Sequence, residues 1–239
     1  MKHKRVGRLC MLAGALCILL GAGLTGYNLY TDQAAEEHAE QVLAQLRTSC
    51  SLPALEEPVS GVTESAEPME IYPAQEEASL VIDGERYIGV LQIPALGVEL
   101  PVRQELSKQG LKKTPCRYKG SAENRDLLIA AHNYSRHFGR IGQLVSDDII
   151  RFIDLSGRVY IYQVDQTQII DGYDTEEMFA GQWDMTLFTC TLGGKSRVTV
   201  RCSLLCRVMP WGATIYPRRG TCAPLLFWFQ VENSYAKNT

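Results

Sequence analysis

Hydrophobic and polar positions divide the chain into three textures. The first is an uncharged run of 22 residues, 9–30, which at about 1.5 Å per residue is long enough as a helix to cross the roughly 30 Å hydrocarbon core of a bilayer. In the second, residues 31–47 are rich in Ala, Glu and Gln, with Val42, Leu43 and Leu46 clustered on one side. That pattern predicts a short amphipathic helix with His38 on its solvated surface. Residues 48–80 then carry Pro53, Pro58, Pro68 and Pro73 among Glu, Ser and Ala, a composition that cannot support a core and reads as a spacer. The third texture begins near Leu80, where short apolar runs rich in Val, Ile, Leu, Tyr and Thr alternate with turn residues: 85–96, 98–102, 126–132, 148–154, 158–170, 185–191 and 197–205. This spacing predicts an all-β sandwich or barrel. Strands do not alternate with long helices, which argues against a doubly wound sheet. Short helical turns are expected near Leu111 and over 140–144.

Charge orients this plan. Lys2, Lys4, Arg5 and Arg8 precede the apolar run while Asp32, Glu36 and Glu37 follow it. The positive-inside bias then leaves residues 1–8 in the cytoplasm, makes 9–30 a single transmembrane helix, and places 31–80 outside as a stem and 81–207 as an extracellular globular domain. Residues 208–239 form a tail of unassigned role, whose apolar stretch 223–229 is too short to span a bilayer. A cleaved signal peptide competes with the anchor, since Gly21, Ala22 and Gly23 offer small residues for cleavage; the length of the run favours the anchor. The net charge of −3 and the scattered basic residues offer nothing to nucleic acid. Eight cysteines form neither a disulfide scaffold nor a paired zinc pattern, and Cys202 with Cys206 would be half a site.

Candidate chemistry sits around Gly193 and Gly194, which separate two strand-like runs. A two-residue glycine loop is a favoured hairpin connection, because both positions can take positive φ. Counting outward, Leu192 faces Lys195, Thr191 faces Ser196 and Cys190 faces Arg197, so a thiol and a guanidinium share one face. Val198, Val200, Cys202 and Leu204 form the apolar set of the second strand, and Arg197, Thr199 and Arg201 point the other way, which leaves Arg197 free to face a groove. A fixed cation favours the thiolate, the species that attacks a carbonyl. Acid/base work near neutral pH calls for an imidazole. His3 and His38 lie outside the domain; His132 follows an apolar strand at its junction with a loop, and His137 reads as a surface residue.

These residues resemble the sortase family. The likeness covers roughly residues 87–205: the early strand ending in Ile93-Pro94, then Leu100-Pro101-Val102, the segment Leu128-Ile129-Ala130-Ala131-His132-Asn133, Phe138, Leu144, Asp147 and Asp148, and Leu187-Phe188-Thr189-Cys190 with Arg197 downstream. The departures are Ala130-Ala131 before His132, where Gly is commoner, and Ser146 or Asp147 where Gly is frequent. Asn133 is similar to class B enzymes, yet residues 164–185 are too short for that class's added helix, so the class stays open. The resemblance implies a closed eight-stranded β-barrel of the sortase type and a membrane-tethered cysteine transpeptidase of a Gram-positive cell surface. It implies Cys190 as nucleophile, His132 as acid/base and Arg197 as stabiliser of the developing oxyanion, with no metal or organic cofactor. Its partners would be surface proteins or pilins bearing a Leu-Pro-x-Thr-Gly-like sorting signal, and an amine from a peptidoglycan precursor or a pilin lysine. Two rival readings are a non-catalytic surface β-domain binding cell wall or a protein, with Cys190 buried and inert, and an L,D-type transpeptidase, whose Ser-x-Gly-Cys context Phe188-Thr189-Cys190 does not supply.

Overall fold

In a computed structural model, residues 2–50, 77–180, 183–210 and 214–215 are described. The helix α1 (Lys2–Ser49) is followed by strands β1 (Leu80–Ile82), β2 (Glu85–Ile93), β3 (Val98–Arg103), β4 (Cys116–Lys119), β5 (Leu127–Ala130), β6 (Ile149–Asp154) and β7 (Val159–Asp171). A short helix, α2 (Thr175–Phe179), then precedes β8 (Met185–Cys190), β9 (Ser196–Val208) and β10 (Thr214–Ile215). The helical turns expected from sequence occur as 3-10 turns at Gly110–Lys112 and Ile141–Gln143. Most of the tail after Cys206 lies outside the described residues.

The strands pair in the order β2-β3-β4-β5-β8-β9-β7-β6, and β6 pairs back to β2, so eight strands form a ring. The sheet is mixed: β3 with β4 and β5 with β8 run parallel, the other pairs antiparallel. The ring encloses the main core, where Ile88, Leu91, Val102, Leu127, Ile129, Leu187, Val200 and Cys202 are fully buried. Burial of Cys202 on this inner face agrees with its place in the apolar set.

Helix α1 is one continuous element rather than an apolar helix plus a separate short one. Its apolar half is exposed over described residues such as Leu16, Ile18, Leu20 and Leu24, and it is the one helix among the described residues long and apolar enough to cross a membrane. Such a helix fits a membrane anchor or a signal sequence. Its second half packs on the ring: Val42, Leu43 and Leu46 cover Ile82, Tyr87 and Val90 on the outer face of β1 and β2. Burying each of these aliphatic side chains contributes up to roughly 1.5–3 kcal/mol. The amphipathic pattern of 31–47 is therefore explained by a domain surface and not by solvent alone.

Candidate active site

The β8–β9 hairpin forms as counted. Gly193 and Gly194 take φ of 88° and 73°, the Thr191 amide donates to the Ser196 carbonyl at 3.0 Å, and Cys190 pairs directly with Arg197. Cys190 is exposed at the end of its strand. The Arg197 guanidinium is held by its own turn: its Nη1 donates to the carbonyls of Gly194 at 2.9 Å and Ser196 at 3.1 Å. Gly172, at the end of β7, leaves the space it occupies; a Cβ there would lie 2.9 Å from Nη1 and 2.6 Å from the Lys195 carbonyl oxygen.

His132 reaches this neighbourhood through the parallel pairing of β5 with β8, in which Leu128 lies level with Thr186 and Ala130 with Phe188. The ladder ends there, two residues before His132 and Cys190. Two bonds extend the pairing past the end of β5: the Ala131 amide donates to the Phe188 carbonyl at 3.2 Å, and the Thr189 hydroxyl donates to the Ala131 carbonyl at 2.9 Å. At the other ends of the same strands, Arg125 grips Asp184 through two bonds of 2.9 and 3.0 Å, and Asp184 also accepts from the Leu204 amide at 2.7 Å. This bidentate pair locks the register that brings the histidine and cysteine strands level.

The His132 imidazole is half-buried and stacks on the Tyr134 ring at 4.1 Å between centroids. Burial, and next the positive charge of Lys112, pull its pKa below the ordinary value, against the opposing pull of Asn133 and Asp32. Among the described residues no hydrogen bond joins Cys190, His132 and Arg197 to one another. What converges is the backbone framework: three adjacent strands deliver the three side chains to one end of the ring.

The loop after His132 is clamped by α1. Ser135 donates to Asp32, and Arg136 pairs with Glu36 at 3.3 Å. His137 is fully buried against Ala35 and Asp32, which corrects its reading as a surface residue. His38 is likewise half-buried, lining a cleft of about 520 Å3 with Lys112, Lys113 and His132. Nothing in the local sequence marks these contacts, because their partners lie about 100 residues away along the chain.

On the outer face, Leu128, Ala130, Ile170, Met178 and Phe188 form an apolar cluster that leads along β5 and β8 toward Cys190. These side chains are buried, so the cluster is a packed layer that includes Met178 of α2. A family model described as the sortase domain matches residues 91–205, which contain His132, Cys190 and Arg197.

The chain carries a sortase domain. It is 28% identical to sortase D of Bacillus subtilis (strain 168) over 175 residues, covering 72% of this chain and 80% of that protein. Solved structures similar to this sortase include sortase C1 of Streptococcus agalactiae, at 26% identity and a TM-score of 0.47 over 54% of this chain and 72% of that one. Sortase C of Streptococcus pneumoniae is similar at 27% identity and a TM-score of 0.44, over 49% of this chain and 68% of that one. The domain is thus a cysteine transpeptidase.

Proposed function

We propose that this sortase uses Cys190 as nucleophile, His132 as acid/base and Arg197 as oxyanion stabiliser to cleave a Leu-Pro-x-Thr-Gly-like sorting signal and join the protein to a cell-wall or pilin amine. The observation that carries the reading is the exposed Cys190 at the end of β8, directly paired with Arg197 and joined to the segment that carries His132 by the Thr189–Ala131 hydrogen bond; the signal is taken to run along the outer face of β8 beside α2.

The thiolate attacks the threonine carbonyl, and Arg197 exchanges the Gly194 and Ser196 carbonyls for the oxygen on which charge develops. The Thr–Gly C–N bond breaks, His132 gives a proton to the departing glycine amine, and a thioester to Cys190 remains. The acceptor amine then attacks the thioester carbonyl and loses its proton to His132. The new amide forms as the thiolate departs. Arg197 contributes through the excess of its bond to the oxyanion over its bonds to the turn carbonyls, and an oxyanion donor is worth roughly 10²–10³ in rate.

The same reading takes residues 9–30 as a membrane-spanning anchor with 1–8 in the cytoplasm, 31–80 as an extracellular stem, 81–207 as the catalytic domain with its ring closed as a barrel, and 208–239 as a tail. The exposed apolar half of α1 supports this arrangement.

The test is incubation with a set of fluorogenic sorting-signal peptides, comparing the wild type with Cys190→Ala, His132→Ala and Arg197→Ala. Cleavage is expected to vanish in the first and to fall by about 10² or more in the others. Cleavage that survives Cys190→Ala removes the mechanism, and a wild type inert to every signal favours the non-catalytic surface domain.

A further inference from the structure

Arg201 projects from β9 to the outside of the ring, opposite Thr186 of β8 and roughly 13 Å along the strand from Arg197. On an outer face it would be solvated, yet it is 2% exposed, because α2 lies over it. Its Nη1 donates to the Met178 carbonyl at 2.8 Å and to the Thr186 hydroxyl at 3.1 Å, while Nη2 donates to the Glu177 carbonyl at 2.7 Å. These carbonyls lie in the last turn of α2, where the Glu177 carbonyl also accepts from the Ala180 amide at 3.2 Å. Burying a cation costs several kcal/mol unless it is hydrogen-bonded, and an apolar side chain of similar size would fill the space with no such cost. The gain lies in direction: a planar guanidinium bonded to β8 and to two successive carbonyls fixes α2 in position and rotation.

That position matters to the groove. The Met178 side chain, carried by one of the gripped residues, packs with Leu128, Ala130, Ile170 and Phe188 in a buried layer outside the sheet, and Phe188 is two residues before Cys190 on β8. Where α2 meets β8, a cavity of about 110 Å3 opens between Leu128, Met178, Trp183, Thr186 and Arg201. The start of the segment is tied separately, since Asp171 accepts from the Tyr173 amide and Asp174 from the Glu177 amide, each at 2.8 Å. At the far end of the helix Phe179 packs against Tyr118 and under Lys119, and Arg201 supplies the hydrogen bonds to the backbone.

We propose that Arg201 is a positioning residue that holds α2 and Met178 as a preformed wall of the peptide groove, and so sets substrate affinity without touching the reacting atoms. The proposal rests on the groove reading given under the proposed function. It is tested on the full chain in detergent micelles, with the peptide Leu-Pro-Glu-Thr-Gly flanked by a fluorophore and a quencher, and with hydrogen exchange of residues 173–180 as a readout that needs no substrate. In Arg201→Met, KM is expected to rise about tenfold or more with kcat within about threefold of wild type. Exchange over α2 is expected to quicken, while alkylation of Cys190 by iodoacetamide keeps its rate. Arg201→Lys, which keeps the charge but loses the planar fork, falls between. Thr186→Val, which removes one of the three bonds, shifts KM and exchange in the same direction by less, and it decides the matter where Arg201→Met does not fold. Wild-type KM and exchange in these variants overturn the proposal, as does a fall in kcat at constant KM, which would place Arg201 in the chemistry. If the wild type cleaves no sorting peptide, the function reading fails, and the exchange measurement still decides whether Arg201 holds α2.

Discussion

The hydrogen bond from the Thr189 hydroxyl to the Ala131 carbonyl joins the residues that immediately precede the proposed nucleophile Cys190 and the proposed acid/base His132. Thr189 is 3% exposed and its bond to the carbonyl is 2.9 Å long. Thr189→Val keeps the shape and removes the hydroxyl, leaving a buried carbonyl short of a donor at a cost of about 1–3 kcal/mol. For a domain of this size that is a fall of roughly 4–8 °C in Tm at the middle of the range. A loss of that size from a typical stability of about 5–15 kcal/mol leaves nearly all molecules folded, so lost activity would report geometry and not unfolding. The expected result, from thermal unfolding and peptide cleavage on the same samples, is a modest drop in Tm with more than about tenfold loss in kcat, since small misplacements are costly in catalysis. Thr189→Ser, which keeps the hydroxyl, should recover most of the rate. A valine variant that cleaves and melts like the wild type refutes the coupling, and a serine variant as slow as valine assigns the effect to methyl packing.

Two further outcomes follow from buried groups near the site. Burial pushes the His137 pKa from 6.5 down to about 4, with His132 adding to it and Asp32 and the Ala35 backbone opposing. The unfolded chain therefore binds more protons than the folded one below pH 6.5, and stability from this group is lost as pH falls from 6.5 toward 4, by about 2 kcal/mol at pH 5. Urea denaturation at pH 7 and pH 5 should show a smaller acid loss in His137→Phe by that amount; an equal loss in both proteins places the titration elsewhere. Gly172→Ala sets a Cβ 2.6 Å from the Lys195 carbonyl oxygen, to which the Gly172 amide is bonded, and 2.9 Å from the Arg197 guanidinium, so the backbone must shift: Tm is expected to fall by a few degrees and cleavage by about tenfold or more. Wild-type cleavage by this variant would show that Arg197 needs no fixed seat.

What could be read from sequence was local. A glycine turn and an alternation of two suffice to pair Cys190 with Arg197, because hairpin partners are set by counting from the turn. His132 could be placed only by family resemblance: its approach depends on the parallel pairing of β5 with β8 across more than fifty residues, which no local pattern encodes. The short strand β4 escaped for a related reason, since the alternation of Cys-Arg-Tyr-Lys is only four residues long and its pairing with β5 and β3 is what makes it a strand. His137 and Arg201 are polar residues that sequence places at the surface, and both are covered by helices docked from elsewhere in the fold. The held conformation of Arg197 was equally out of reach, because carbonyl acceptors are present in every turn and give no residue-type signal.

The account stands on a thioester at Cys190. Its most direct test is mass spectrometry of the full chain quenched during turnover of whichever sorting peptide it cleaves, followed by digestion to locate the adduct. The expected result is the acyl portion of the peptide, ending in its threonine, attached to Cys190 and released by hydroxylamine. Cleavage with Cys190 unmodified, or an adduct mapped to another cysteine, would contradict the account.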